Sequence, residues 1–272
     1  MTRARLPQRG MRLIAIANHK GGSGKTTTAV NLAAALAEHD RRVLLVDLDS
    51  QASASHWLGV DDRDSAGVAE VLTEGAELGR LVRPTTSAGL DLLPGSEALA
   101  QAERRLAQEV GAETILRRQV QRFLTAAADA WDYTLLDCPP SLGMLTLNAL
   151  TAAREVLVPV EAHVMALSGL AQLLATLEIV RERLNSELEL VGIVACRVDA
   201  RTRHGREVLQ ELQSRFSERI YRTTIRENVR LAEAPSFGEP ITRYDARSTG
   251  TADYRALAEE VIRQEARAPG RS

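Results

Sequence analysis

Eight residues constrain this chain more than any others: Lys20-Gly21-Gly22-Ser23-Gly24-Lys25-Thr26-Thr27, set between an apolar stretch and an amphipathic one. Leu13 to Ala17 reads as a buried strand, and from Thr26 to Glu38 apolar residues recur at spacings of three and four, a helical period. A glycine-rich turn between strand and helix lets backbone N–H groups wrap a phosphate while the helix N-terminus adds a favourable dipole. Lys25 is then placed for the β and γ phosphates, and the Thr26 hydroxyl for Mg²⁺. Strand before and helix after weigh against a glycine turn with no ligand.

Lysine usage sharpens the point. Of 34 basic residues only two are lysine, Lys20 and Lys25, and both fall here. Arginine serves everywhere else, so a compact ammonium matters in this loop. Lys20 lies upstream of the glycines, poorly placed to duplicate Lys25 in its own site. It could reach a γ-phosphate held across a dimer interface, as an arginine finger does; the plain alternative is a solvated surface lysine.

Further short Val/Ile/Leu runs follow at Val43 to Val46, Leu90 to Leu93, Tyr133 to Leu136, Val156 to Val160 and Leu190 to Ala195. Helical patterns cover Ala112 to Ala130, Leu167 to Leu184 and Thr251 to Arg267. Nearly continuous apolar strands alternating with helices predict an α/β fold, a doubly wound, mostly parallel sheet flanked by helices. Pro84 to Gly89 reads as a loop. We expect one domain over 11–266, with flexible tails at 1–10 and 267–272.

Two acidic clusters end strands. Leu45-Val46-Asp47-Leu48-Asp49-Ser50-Gln51 places two carboxylates at i and i+2, expected on one side of a strand at the sheet's C-terminal edge, where nucleotides sit in open α/β folds. One would hold the Mg²⁺ side through water and the other orient an attacking water; a turn-capping pair is the alternative. Asp137 closes the run from Tyr133 and precedes Cys138-Pro139-Pro140-Ser141, an acidic residue emerging beside the phosphate loop.

Together these three motifs resemble the deviant Walker A, A′ and B set of the ParA/MinD superfamily of P-loop ATPases. The likeness to the ParA/Soj branch continues through Ser141-Leu142-Gly143-Met144-Leu145-Thr146, Asp199-Ala200-Arg201-Thr202 and Val229-Arg230-Leu231-Ala232-Glu233-Ala234-Pro235-Ser236. The resemblance implies a P-loop NTPase fold, ATP and Mg²⁺ as cofactors, and an ATP-bound sandwich homodimer in which Lys20 contacts the partner's nucleotide. It also implies binding to non-specific double-stranded DNA, hydrolysis stimulated by a ParB-like adaptor, and a cytoplasmic, nucleoid-associated protein. Asp49 is implied to position the hydrolytic water, Asp47 to support the metal side, and Arg201 and Arg230 to contact DNA. The chain departs from the pattern at Ser23, where valine is frequent, at Ser50, where proline is usual, and at Arg226-Glu227, where Pro-Arg is common. The last departure replaces an expected base with an acid.

Apart from the family, Arg197, Arg201, Arg203 and Arg206 form a basic cluster opposed by Asp199. Such a cluster can neutralise backbone phosphates without reading sequence. An arginine-rich solvated helix start is the alternative. A formal charge of −2 means that any attraction to DNA must be local. Cys138 and Cys196 form no CxxC or Cys/His cluster, so neither a disulfide framework nor a zinc or iron–sulfur site is indicated. Cys138 is expected to pack as a small hydrophobe, and Arg197 is a candidate for the adenine pocket. The polar stretch Arg263 to Ser272 lacks the apolar face of a membrane-targeting helix, and no apolar run is long enough to span a bilayer. A positioner of a protein cargo with the same machinery is the nearest competing function.

Overall fold

The computed structural model describes residues 11–60, 66–127, 130–163, 166–199 and 201–265. The tails expected at 1–10 and 267–272 lie outside them. Seven strands form one sheet: β1 (Arg12–Ile16), β2 (Val43–Asp47), β3 (Arg83–Pro84), β4 (Leu90–Leu93), β5 (Tyr133–Asp137), β6 (Glu155–Glu161) and β7 (Glu189–Cys196). Their order is β3-β4-β2-β5-β1-β6-β7. Every pairing is parallel except β3 with β4. The short antiparallel β3 takes in Pro84 from the segment expected to be a loop; at a sheet edge its missing N–H costs nothing.

Alternation along the strands explains the two layers. Leu13, Ala15, Leu44, Val46, Val156, Val158 and Ile193 pack into a core that also takes in helices Ile115–Ala126 and Met144–Ala152 through Leu116, Val120, Leu145 and Ala149. Ile14, Ile16, Leu45, Leu135, Leu157 and Val194 face the other way, into a core with helices Lys25–Glu38 and Thr249–Glu265. Helix Lys25–Glu38 is buried from Thr28 to Leu36 because it is covered on both sides, by the sheet and by helix Thr249–Glu265. The stretch expected to be amphipathic is thus Ala-rich and buried nearly all round, because both of its faces are covered.

The helix expected over Ala112 to Ala130 instead opens as a 3₁₀ turn, Ala112–Thr114, and runs on as Ile115–Ala126, with residues 128 and 129 outside the described set. Gly111, in the left-handed region at φ 77°, delivers the chain into that tighter turn. At the opposite end of the sheet from the loops, Arg12 donates to Glu155 Oε2 (2.8 Å) and to the carbonyl of Val261 (2.6 Å). Tyr133 donates to Glu265, which also accepts from Arg41 at 3.0 Å. These buried contacts tie the last helix to the first strand.

Candidate functional site

Register assembles the site before any side chain is considered. β5 lies between β1 and β2, with Ile16 opposite Asp137 and Asp47 opposite Asp137. The ladder runs one step further, with Cys138 N–H donating to the Ile16 carbonyl (3.2 Å) and Leu48 N–H to the Asp137 carbonyl (3.0 Å). The glycine loop, Asp47 and Asp137 therefore leave adjacent strands at the same sheet edge, the usual ligand edge of an open parallel sheet.

Within the loop, Gly22 (φ 74°) and Gly24 (φ 89°) adopt the left-handed conformation that bends the backbone ahead of helix Lys25–Glu38. Gly24 also passes close to Cys196 at the end of β7: a Cβ there would lie 3.6 Å from its Cβ and Sγ. Asn18, which sequence reading passed over, anchors the start of the loop. Its Nδ2 donates to the Pro159 carbonyl (2.7 Å) and its Oδ1 accepts from the Lys20 N–H (3.1 Å).

The two lysines take different places. Lys25 is buried and donates to the carbonyl of Lys20 (3.2 Å). Burial pulls its pKa down, while the charges of Asp137, Cys138 and Asp49 act in the opposite sense. Lys20 points elsewhere, to Glu161 Oε2 on β6 (3.2 Å), and Glu161 Oε1 also receives Arg197 at 3.4 Å. Arg197 holds this position with a left-handed backbone, φ 53°.

The carboxylates differ as sharply. β2 ends at Asp47, so the alternation expected for Asp47 and Asp49 does not extend to the second residue. Asp47 is fully buried, accepting from Ser55 N–H (2.9 Å) and Ser55 Oγ–H (2.8 Å) at one oxygen and from Asp49 N–H (3.2 Å) at the other. Burial raises its pKa, with the Ser55 and Asp49 hydrogen bonds opposing the rise. Ser55 in turn accepts from Gly95 N–H at 3.0 Å, where a Cβ would stand 2.6 Å from the Asp47 carbonyl oxygen. Asp49 is only partly buried, and its Oδ1 accepts from Gln51 N–H (3.0 Å). Asp137 is fully buried, yet among the described residues neither carboxylate oxygen has a well-formed hydrogen bond, the Thr26 hydroxyl being near enough only to act on its charge. Burial drives its pKa well up, the Asp47 charge adds to the rise, and the Thr26 hydroxyl and Lys25 ammonium oppose it.

Two polar groups here are thus buried and unanswered, the Asp137 carboxylate and the Ser23 hydroxyl. A hard divalent cation with oxygen ligands, bound beside a polyphosphate, answers that need. Cys138 and Cys196 are buried and packed, as expected for Cys138, and burial lifts both thiols, that of Cys196 to about 12. Neither is a thiolate nucleophile.

The arginines form a second group beyond β7. Arg201 is exposed and paired with Asp199 (2.9 Å), Arg203 with Glu207 (2.7 Å), and Arg206 donates to the Arg201 carbonyl (2.9 Å). Thr202 caps helix Arg203–Phe216, its Oγ1 accepting from Gly205 N–H (3.0 Å). Arg230, on helix Val229–Glu233, pairs with Glu233 (2.9 Å) and Asp245 (3.7 Å). A parallel bridge between Val198 and Arg226 holds the two arginine-bearing segments side by side.

A family model described as an AAA domain matches residues 11–190. The chain is 49% identical over 252 residues to the chromosome-partitioning ATPase Soj of Thermus thermophilus, covering 93% of this chain and 96% of that one. It is 44% identical over 251 residues to the sporulation initiation inhibitor protein Soj of Bacillus subtilis, covering 92% and 98%. The chain belongs to the Soj/ParA family of partitioning ATPases. Among solved structures, cobyrinic acid a,c-diamide synthase of Mycobacterium smegmatis with a bound ATP analogue and magnesium matches with a TM-score of 0.82 at 35% identity, over 94% of this chain and 96% of that one. The cell division ATPase MinD of Pyrococcus furiosus matches with a TM-score of 0.76 at 27% identity, over 93% and 99%. Both the family and the P-loop fold agree with the expectation from the motifs. No helix among the described residues is long and apolar enough to cross a membrane.

Proposed function

We propose that the chain is an ATP-dependent DNA-partitioning switch, with 11–266 acting as one ATPase domain. The observation that carries this reading is the division of labour between the lysines. Lys25 is buried in its own phosphate loop, whereas Lys20 is held outside it on Glu161, at a partly exposed position from which a partner subunit's nucleotide is the natural target. Backbone N–H groups of Gly21, Gly22, Ser23, Gly24, Lys25, Thr26 and Thr27 cradle the phosphates of ATP. Thr26 and Asp137 would hold Mg²⁺, and Asp47, expected on the metal side, would support them from behind while it fixes the turn that carries Asp49 through Ser55 and the Asp49 N–H. Bound Mg²⁺ supplies charge neutralisation on the phosphate oxygens.

Asp49, free of the strand and only partly buried, orients the attacking water, and Lys20 completes charge neutralisation once two subunits face each other. ATP-bound dimers then hold non-specific duplex DNA through Arg201 and Arg230, with Arg203 and Arg206 beside them, and a ParB-like adaptor accelerates hydrolysis and release. The exposure of these arginines and the Val198–Arg226 bridge that juxtaposes them support the assignment.

The test is binding to a non-specific duplex without nucleotide, with ADP and with ATP, over a salt series. Binding that requires ATP, falls steeply with salt and disappears in Arg201→Ala plus Arg230→Ala is the expected result. A wild-type protein that ignores DNA in every state refutes the DNA part of the reading and turns attention to a protein cargo.

A further inference from the structure

The departure at Arg226-Glu227 has a structural outcome that sequence could not show. Arg226 is committed to an ion pair with its own fold. Its Nη2 and Nε donate to Asp253 at 2.6 and 3.0 Å, and its Nη2 also to the Thr249 carbonyl at 3.4 Å, so the guanidinium clamps this segment to helix Thr249–Glu265. Asp253 is buried, whereas the Arg226 side chain stays about half exposed, 47%, with its Nε and Nη2 turned onto that carboxylate.

Glu227 goes the other way. Its backbone N–H donates to the Val198 carbonyl (3.2 Å), one residue before Asp199 and three before Arg201. On its other side, Asn228 caps helix Val229–Glu233, which carries Arg230. Glu227 is therefore exposed at the point where the segment that carries Arg230 pairs with the one that leads to Arg201. Among the described residues its carboxylate has neither a hydrogen bond nor an ion pair, although its charge acts on the Arg201 guanidinium. The other acids on this face are each occupied by an arginine: Asp199 by Arg201, Glu207 by Arg203, and Glu233 and Asp245 by Arg230.

We propose that Glu227 is an affinity-limiting acid at the centre of the phosphate-binding face, which keeps the ATP-bound protein's hold on duplex DNA weak and quickly reversible. An exposed carboxylate beside two phosphate contacts repels the backbone where the arginines attract it, and the nearby guanidinium groups of Arg201 and Arg226 are already paired with Asp199 and Asp253. A partitioning switch that must release and rebind along DNA gains from such a limit. This inference rests on the DNA-binding reading and adds to it the residue that sets its strength.

The experiment measures binding of a non-specific duplex by the ATP-bound full chain over a salt series, for wild type, Glu227→Gln, Glu227→Arg and the double arginine variant. Glu109→Gln and Glu109→Arg, in the turn after helix Ala98–Leu106, change net charge equally at a distant position. Expected are affinities raised about threefold by Glu227→Gln and about tenfold or more by Glu227→Arg, with the salt slope of the latter steeper by about one ion, and little response to the Glu109 changes. If wild type binds through Arg201 and Arg230 while Glu227→Gln gains no more than Glu109→Gln, the inference falls and the DNA reading stands. If neither wild type nor any Glu227 variant binds DNA, both fall together.

Discussion

Replacing Asp137 by asparagine should make the nucleotide-free protein more stable while destroying its response to Mg²⁺ and ATP. The carboxylate is fully buried and, among the described residues, neither oxygen has a well-formed hydrogen bond. An unanswered buried polar group costs about 1–3 kcal/mol, and more when charged. Asparagine keeps the shape and removes the charge. Lys25 loses an attractive neighbour, but burial outweighs that attraction in setting the Asp137 pKa, so the net sign is a gain. A gain of about 1–3 kcal/mol corresponds to a rise in melting temperature of roughly 3–10 °C for a domain of this size.

The pH dependence has a definite direction. Because the folded pKa lies above the unfolded one, the native state binds more protons between the two values, and stability falls as pH rises through that window. The advantage of Asp137→Asn should therefore be fully present above the folded pKa and vanish below the unfolded one. The assay is urea denaturation across a pH series, without ligand and with Mg²⁺-ATP. Saturating ligand at a hundredfold over its Kd adds about 2.7 kcal/mol to wild type, and should add far less to the variant. A nucleotide-free variant no more stable than wild type at neutral pH, or an advantage that grows on acidification, refutes the reasoning.

Three further outcomes follow from the same geometry. Gly21 has open space where a Cβ would project and no positive φ, so Gly21→Val should fold and bind ATP yet stay monomeric by light scattering; normal ATP-dependent dimers would show that the loop does not face a partner. Asp49→Ala should slow phosphate release by about a hundredfold or more while the ATP-bound dimer accumulates, and unchanged turnover would remove Asp49 from the water. Ser55→Ala strips Asp47 of one donor and leaves Gly95 N–H without its acceptor, so the urea midpoint should report a loss of about 2–3 kcal/mol; a shift under about 0.5 kcal/mol would mean that the turn is held by other contacts.

Local codes were legible in the sequence and long-range partners were not. The strand, glycine loop and helix around Lys25 could be read because each residue's role is set by its neighbours within one turn of chain. Asp137 was readable for the same reason, as an acid closing an apolar run. Asp47 was seen, but the Ser55 and Gly95 contacts that explain its burial come from the five-residue helix Ser53–Trp57 and from a loop, too short for any periodicity to betray them. Lys20 was singled out by composition, whereas its resting partner, Glu161, is 141 residues away. β3 spans two residues and includes a proline, too short for any alternation to register. Arg226 and Glu227 could be recognised as a departure, but that Arg226 is ion-paired within the fold depended on Asp253 in the last helix.

These contacts divide the site into two parts with different electrostatics. The groups assigned to hydrolysis are each provisionally engaged: Lys20 with Glu161, Lys25 with the Lys20 carbonyl, and the Asp49 side chain with Gln51 N–H. Asp137 alone is unanswered, and its burial beside Asp47 makes it the group that gains most from a cation. Binding of Mg²⁺ and ATP therefore relieves an existing electrostatic cost in one subunit, whereas moving Lys20 means breaking a partly exposed ion pair that is worth little in itself. Filling the site and completing it are separate events with separate energetic sources. The proposed switch, in which turnover follows the arrival of a second subunit, needs that separation.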